Sequence, residues 1–308
     1  MKNFIRKGLI FGLILLGWLS ILQLTISIRI NNKSVNGQDN LDQTSNINAD
    51  ILFIGNSRCI TSINPAVFKN EGLSVVNLGL HGHPNMSYVV SRLNHYLRNN
   101  SKKPRIVLFN LDPYSCTGKS NIMKDRFARY AFGNSRKHHE LTDYFDFDYC
   151  EKYVPAYALL KYRKIFDCLF LNNRSTFLQL GFESNTGDLC LEKFSKNEID
   201  EHISSYRKRS EDFDLKKEIT QLQDFCNSHK IKLIGFQLPV YQIIRTKNFD
   251  QTKHLADQLG LTFFDLGSLE HSNNCSLFKD KNHLNSKGAD YFSAKIAKSL
   301  RNNLLIAQ

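Results

Sequence analysis

The sequence predicts an α/β fold: a doubly wound parallel sheet with a helical insertion and an N-terminal transmembrane helix. Three observations predict it. Short, mostly apolar runs recur along the chain, among them Ile51–Ile54 and Ile106–Leu111. Runs of that kind, without alternation, mark strands covered on both faces, as in a parallel sheet. Between the runs lie stretches with helical spacing, such as Tyr88, Val89, Leu93, Tyr96 and Leu97. The third observation is an uncharged, mostly apolar run from Gly8 to Ile28 near the start of the chain.

At about 1.5 Å per residue that run spans roughly 30 Å, the hydrocarbon thickness of a bilayer. Lys2, Arg6 and Lys7 before it outnumber the single Arg29 after it, which puts the N-terminus inside and the body outside. A cleaved signal peptide is the competing reading, but Leu24-Thr25-Ile26-Ser27 makes a poor small-x-small cleavage site. Residues 1–30 are therefore read as a cytoplasmic tip and an uncleaved signal anchor. Residues 31–49, rich in Asn, Asp, Gln and Ser, read as a polar linker that holds the body off the membrane.

The body, residues 50–300, follows in β/α alternation. Ile51–Ile54, Leu73–Leu78 and Ile106–Leu111 read as strands, with a helix between Asn85 and Asn99. The rhythm then breaks. Residues 115–213 are rich in Tyr, Phe, Lys and His and read as a helical aromatic insertion covering the strand ends, with Tyr157–Phe170 as its clearest helix. Alternation resumes with a helix over Leu215–His229 and a strand over Lys232–Leu238 stopped by Pro239. A helix over Asp250–Leu259 closes at Gly260, and Leu261–Leu266 reads as a strand. The helix from His283 to Leu300 puts Ala289, Phe292, Ile296 and Leu300 on one face. Residues 301–308 are a short tail.

Composition narrows the function classes. The chain has 308 residues, 42% hydrophobic and 23% charged, with a formal charge of +12, which describes an ordinary globular protein. No basic stripe interleaves with aromatics, so nucleic acid is excluded as a partner. An anionic membrane surface, an acidic polymer or simply a lysine-rich composition accounts for the charge. Seven cysteines contain no C-x-x-C pair, which leaves a zinc ribbon or thioredoxin-like site unsupported. Disulfides are permitted outside the cytoplasm, and the odd count leaves at least one thiol unpaired. Cys59 reads as a small buried residue.

Two segments carry chemistry. In Ile51-Leu52-Phe53-Ile54-Gly55-Asn56-Ser57-Arg58 a strand ends in a glycine, a turn-forming Asn and a hydroxyl. A helix beginning there places Ser57 where free N–H groups favour developing negative charge. Near the other end, Asp280-Lys281-Asn282-His283 offers a base with an orienting carboxylate. The second strand leads into Asn77-Leu78-Gly79-Leu80-His81-Gly82-His83-Pro84, whose glycines allow close approach of a reacting carbonyl or are ordinary turn glycines. His81 and His83, with His138 and His139, lack a Cys or carboxylate at ligand spacing. They read as substrate contacts, and neither metal nor cofactor is expected. Tyr144, Phe145, Phe147, Tyr149, Tyr153 and Tyr157 either stack on sugar rings or form the insertion's own core.

Asn56-Ser57 after one strand, Asn77 to Gly82 after the next, and Asp280-x-x-His283 before the terminal helix resemble the SGNH (GDSL-like) hydrolase superfamily. The resemblance covers about residues 50–300, carried by three short blocks. It implies a three-layer sandwich, with Ser57 as nucleophile, His283 as general base and Asp280 as the orienting carboxylate. It also implies an oxyanion site formed by the Ser57 and Gly82 N–H groups, Gly82 standing five residues after Asn77. Two blocks depart from the pattern. Gly-Asn-Ser-Arg stands where most members have Gly-Asp-Ser-Leu, and the third strand ends Phe109-Asn110-Leu111-Asp112-Pro113-Tyr114 with no Gly-Asn-Asp. Asn110 and Tyr114 are the remaining candidates for a third oxyanion donor. Together with Asn56, Arg58, His81 and His83 they are the possible substrate contacts.

With the anchor and the insertion, these departures resemble the divergent extracytoplasmic branch that works beside membrane-bound O-acyltransferases on cell-wall or secreted polysaccharides. The implied activity is serine-dependent acyl transfer, with acetyl as the acyl group, to or from an extracytoplasmic glycan. Two alternatives stay open: a simple carbohydrate or lipid esterase, and a catalytically silent scaffold for a membrane O-acyltransferase.

Overall fold

In the computed structural model, residues 1–31, 44–82, 85–112, 147–162, 177–191, 214–241, 247–267 and 269–306 are described. Two units divide the chain, one of residues 1–38 and 121–175, the other of residues 39–120 and 176–308. In the first, α1 (Lys2–Asn31) is followed after a long interval by the short helices α5 (Tyr149–Tyr153) and α6 (Tyr157–Lys161). Within Lys2–Ile26 of α1, an 18-residue window reaches a mean hydropathy of 2.3, and the helix is long and apolar enough to cross a membrane.

The second unit is an α/β sandwich. In chain order it contains β1 (Ile51–Ile54), α2 (Ser57–Ser62), α3 (Pro65–Lys69), β2 (Val75–Asn77), α4 (Met86–Asn99) and β3 (Ile106–Asn110). Next come β4 (Phe177–Gln179) and β5 (Phe182–Glu183), then α7 (Leu215–Ser228), β6 (Lys232–Gln237), α8 (Lys247–Gln258) and β7 (Thr262–Asp265). The short α9 (Leu269–Ser272) and the long α10 (Ser286–Ile306) end it. Five strands form one all-parallel sheet in the order β2-β1-β3-β6-β7. β1 and β3 are buried at every position, as their mostly apolar runs without alternation require.

Right-handed crossovers from this order place α2 and α3 on one face, where α10 packs against both, and α4 and α7 together on the other. The core beneath is aromatic and aliphatic. Phe53 meets Phe68 at 5.2 Å and Phe236 edge-on at 5.3 Å, and Phe278, Phe292 and Ile296 close it from the α10 side. Each such fully buried side chain contributes about 1.5–3 kcal/mol.

Helix starts follow from single asparagines. Asn56, Asn64 and Asn85 each accept a backbone N–H from the first turn of α2, α3 and α4, and Pro65 stands at the first helical position of α3. The last helix begins at Ser286 and not at His283, because residues 280–285 form a turn of their own. Asn285 then caps α10 by accepting the Gly288 N–H at 3.0 Å.

Further differences from the sequence reading concern the linker and the insertion. From Thr44 onward the polar run is docked. The Ile47 and Asn48 N–H groups donate to Asn100 Oδ1, and the Ala49 N–H donates to the Tyr96 hydroxyl. Within 115–213, β4 and β5 pair as an antiparallel hairpin in the sheet-bearing unit. The helix expected over Tyr157–Phe170 ends at Lys161, where Tyr162 turns extended and caps it, and residues 163–170 lie outside the described residues.

Candidate active site

The order of strands reverses between β1 and β3, with β2 reached to one side and β6 to the other. That switch point leaves a crevice outside the carboxyl ends of the strands. β1 delivers Gly55, Asn56 and Ser57 there. Gly55 is required by space, since a Cβ would lie 2.7 Å from the Asn110 Cβ at the end of β3. Asn56 caps α2 by accepting the Arg58 N–H at 2.9 Å. Ser57 then stands first in the helix, where its own N–H precedes any intrahelical acceptor.

Across the crevice the turn before α10 brings His283 to meet it. His283 Nε2 lies 2.9 Å from Ser57 Oγ. On the other side of the ring, Nδ1 lies 3.0 Å from both Asp280 carboxylate oxygens. Asp280 Oδ1 also accepts the Asn282 and His283 N–H groups at 2.8 and 2.9 Å, so one carboxylate both closes the turn and holds the ring. Burial would raise the Asp280 carboxyl, but the hydrogen bond and charge of His283, with those two N–H groups, hold it below its ordinary value of 3.8. The carboxylate is thus ionised near neutrality. It accepts from Nδ1–H and leaves the Nε2 lone pair facing the serine hydroxyl. Residues 226 positions apart in sequence form one hydrogen-bonded line.

The turn is braced from several sides. The Lys279 N–H donates to the His283 carbonyl at 2.9 Å, and the Tyr241 N–H to the Lys281 carbonyl at 3.0 Å. Asn285 Nδ2 donates to the Ser276 and Gly187 carbonyls at 2.8 and 3.1 Å. A disulfide joins Cys190 to Cys275, and the Leu189 N–H donates to the Phe278 carbonyl. The segment after β5 therefore straps the turn in place.

Several residues expected to meet substrate have other work. Arg58 is buried, with Nη1 2.7 Å from Asp112 Oδ2, while Nη2 donates to the Leu238 and Pro239 carbonyls beyond β6. Asn110 is buried, and its Nδ2 donates to Asp112 Oδ2 at 2.7 Å and Asn56 Oδ1 at 3.4 Å. Asn56, Arg58 and Asn110 thus form, with Asp112, a buried polar brace that holds the nucleophile turn to the ends of three strands. Their burial follows from the crowding of β1 against β3 at Gly55. Cys59 is buried as expected, and burial pushes its thiol upward, which keeps it inert.

Asn77 performs a related task. Its Nδ2 donates to the Cys59 and Ile63 carbonyls at 2.9 Å each, and its Oδ1 accepts the Gly79 N–H at 2.8 Å. Gly79 lies so close to α2 that a Cβ would fall 2.5 Å from the Ile60 nitrogen. Gly82 follows in the same loop with φ +92°, a conformation that glycine adopts freely. His81 Nε2 lies 2.5 Å from Glu183 Oε2 on β5, and β5 packs against α2. His83 and Tyr114 lie outside the described residues, as do His138 and His139.

Asp112 and Glu183 were missed by the sequence reading. Asp112 had one available signal, its place two residues beyond the end of β3. For Glu183 the partner comes from a hairpin that no periodicity announces. Among the described residues no cluster of three metal-ligating side chains occurs.

No family model matches the chain, and no curated protein matches it. Among solved structures it is similar to a GDSL-like lipase from Bacteroides thetaiotaomicron VPI-5482, at 11% identity and a TM-score of 0.38, over 87% of this chain and 93% of that one. At that level the likeness adds nothing to what strand order and side-chain geometry give directly.

Proposed function

We propose that the chain is a membrane-anchored, SGNH-type serine enzyme that transfers an acyl group, acetyl in the first instance, to or from a glycan outside the cytoplasm. The observation that carries this reading is the hydrogen-bonded line from Ser57 Oγ through His283 to Asp280. A hydroxyl, a base and an orienting carboxylate in that order are what acyl transfer needs.

In the proposed reaction Ser57 Oγ bonds to the acyl carbonyl carbon as its proton moves to His283 Nε2. The carbonyl oxygen gains negative charge and is met by the Ser57 and Gly82 N–H groups. Collapse breaks the bond to the donor's oxygen, which takes the proton from Nε2 and leaves an acyl-serine. An acceptor hydroxyl then gives its proton to Nε2 and attacks the same carbon, and Ser57 Oγ departs with that proton. Asp280 keeps the ring in one tautomer throughout. A sugar hydroxyl as acceptor gives transfer, and water gives hydrolysis.

The apolar α1 supports anchoring, and the Cys190–Cys275 disulfide supports an oxidising compartment. Both suit an enzyme that receives acyl groups from a membrane-bound O-acyltransferase partner. The test is turnover of a small activated acetyl ester by the full-length protein, with and without an oligosaccharide acceptor. The reading expects slow hydrolysis that Ser57→Ala abolishes, and faster turnover with acylated sugar when the acceptor is present. Fast hydrolysis that no acceptor diverts leaves the esterase in its place. No Ser57-dependent turnover leaves the scaffold.

A further inference from the structure

Exposed apolar side chains are concentrated in one place. Outside α1, the large exposed hydrophobics among the described residues are Tyr149, Tyr153, Val154, Tyr157, Leu160 and Tyr291. All but Tyr291 fall within α5, α6 and the turn between them. An apolar patch of this kind, on so short a segment, marks a contact surface.

The segment beneath the patch is firmly built. Asp148 accepts the Glu151 N–H at 2.8 Å, and Glu151 Oε2 accepts the Asp148 N–H at 2.6 Å, a reciprocal cap at the head of α5. The Glu151 carboxylate is buried and takes Lys161 Nζ at 2.5 Å and the Tyr162 hydroxyl. Phe147 packs edge-on against Tyr162 at 6.2 Å. With the polar groups satisfied on the inside, Tyr149 and Tyr153 stand outward as a pair with ring centroids 4.9 Å apart.

Its position along the anchor is fixed by one hydrogen bond. The Ala156 N–H donates to Gln23 Oε1 at 2.5 Å. Gln23 lies five residues before Ile28, where the uncharged apolar run Gly8–Ile28 ends. Ile26 is the one buried residue of α1 among those described. The patch is therefore attached about 7.5 Å short of the level where the apolar run stops. Tyrosines, apolar in body and polar at the tip, favour the zone close to that level of a bilayer.

We propose that residues 147–162 form an interfacial membrane foot. Tyr149, Tyr153, Tyr157 and Leu160 enter the head-group region beside the outer end of α1. A lone helix leaves rotation about its own axis free, and a second contact on the same surface removes that freedom. The inference rests on reading α1 as an anchor and not on the catalytic reading.

Trp18 is the chain's one tryptophan and lies within α1, so it reports the anchor by itself. The full-length protein is placed in phosphatidylcholine–phosphatidylglycerol vesicles that contain lipids brominated either near the head group or near the chain end. Chain-end bromine should quench Trp18 in the wild type. In Trp18→Phe/Tyr153→Trp and, separately, Trp18→Phe/Leu160→Trp, head-group bromine should cut emission by about half, with weaker quenching by chain-end bromine. Aqueous acrylamide should then quench these variants poorly. Lipid quenching of Trp18 with none at position 153 or 160 overturns the foot and leaves the anchor standing. Absence of lipid quenching at those positions combined with protection from acrylamide also overturns it, and points to a protein partner. Loss of lipid quenching at Trp18 itself removes the anchor and the foot together.

Discussion

Arg58 Nη1 lies 2.7 Å from Asp112 Oδ2, and the two side chains are 7% and 0% exposed. The residue that follows the candidate nucleophile is thereby tied to the end of β3, and through its second nitrogen to the chain beyond β6. Removing one partner of such a pair strands a buried charge, which costs about 3–5 kcal/mol. Asp112→Asn should therefore lower stability by about 3 kcal/mol, measured by urea titration. Arg58→Lys should lose less stability than Arg58→Ala, yet should not restore the wild type, because a lysine cannot reach the carboxylate and two carbonyls with one planar fork. Folded Arg58→Lys should also react more slowly at Ser57 with its substrate KM little changed, as expected of a positioning residue. A faster reaction would detach the brace from the site.

His283→Ala and Asp280→Ala should differ in degree. Loss of the base should lower turnover by about 10⁴-fold or more, and loss of the carboxylate by roughly ten- to a hundred-fold less than that. Steady-state rates of the purified variants decide the point. Full activity in Asp280→Ala would mean that another group orients the ring.

Asp280 also ties stability to pH. Its folded-state value lies below the ordinary 3.8, so its contribution is complete above that ordinary value and disappears as pH falls through the folded-state value. With the carboxylate 39% exposed on the side chain, solvent screening limits the effect to about 1 kcal/mol. Asp280→Asn should be less stable than wild type at neutral pH, and the gap should close below about pH 4. A gap that widens on acidification would contradict the assigned ion pair.

The Cys190–Cys275 disulfide closes a separation of 85 residues and holds the strap to the turn that carries His283. Its removal in Cys190→Ser/Cys275→Ser should cost about 2–4 kcal/mol, and reduction of the wild type should lower Tm to match. Turnover should fall as well, because the strap fixes Asn285 and Phe278 on either side of the base. Unchanged turnover in the folded double variant would mean that the remaining hydrogen bonds suffice.

Much of this was legible in the chain itself. The strands at 51–54 and 106–110 follow from short, mostly apolar runs without alternation, whereas the helix at Pro65–Lys69 was not read at all. Ser57, Asp280 and His283 were legible because their local surroundings are unusual: a hydroxyl straight after a strand, and a His–Asp pair just ahead of a helix. The brace was not. Arg58, Asn56 and Asn110 looked like polar residues at an open site, and only the packing of β1 on β3 buries them. Asp112 and Glu183 depend on partners 54 and 102 residues away, and no local pattern encodes such separations. The hairpin at 177–183 has strands too short for a period to show.

The central claim is that Ser57 is a nucleophile activated by His283. A fluorophosphonate probe, followed by proteolysis and mass spectrometry, measures this most directly, because the adduct records which oxygen attacked. One phosphonylated peptide containing Ser57 is the expected result. It should be absent in Ser57→Ala at unchanged urea stability, and should form at least about a hundred-fold more slowly in His283→Ala. An adduct elsewhere, or labelling of Ser57 that proceeds at the wild-type rate without His283, would contradict the account.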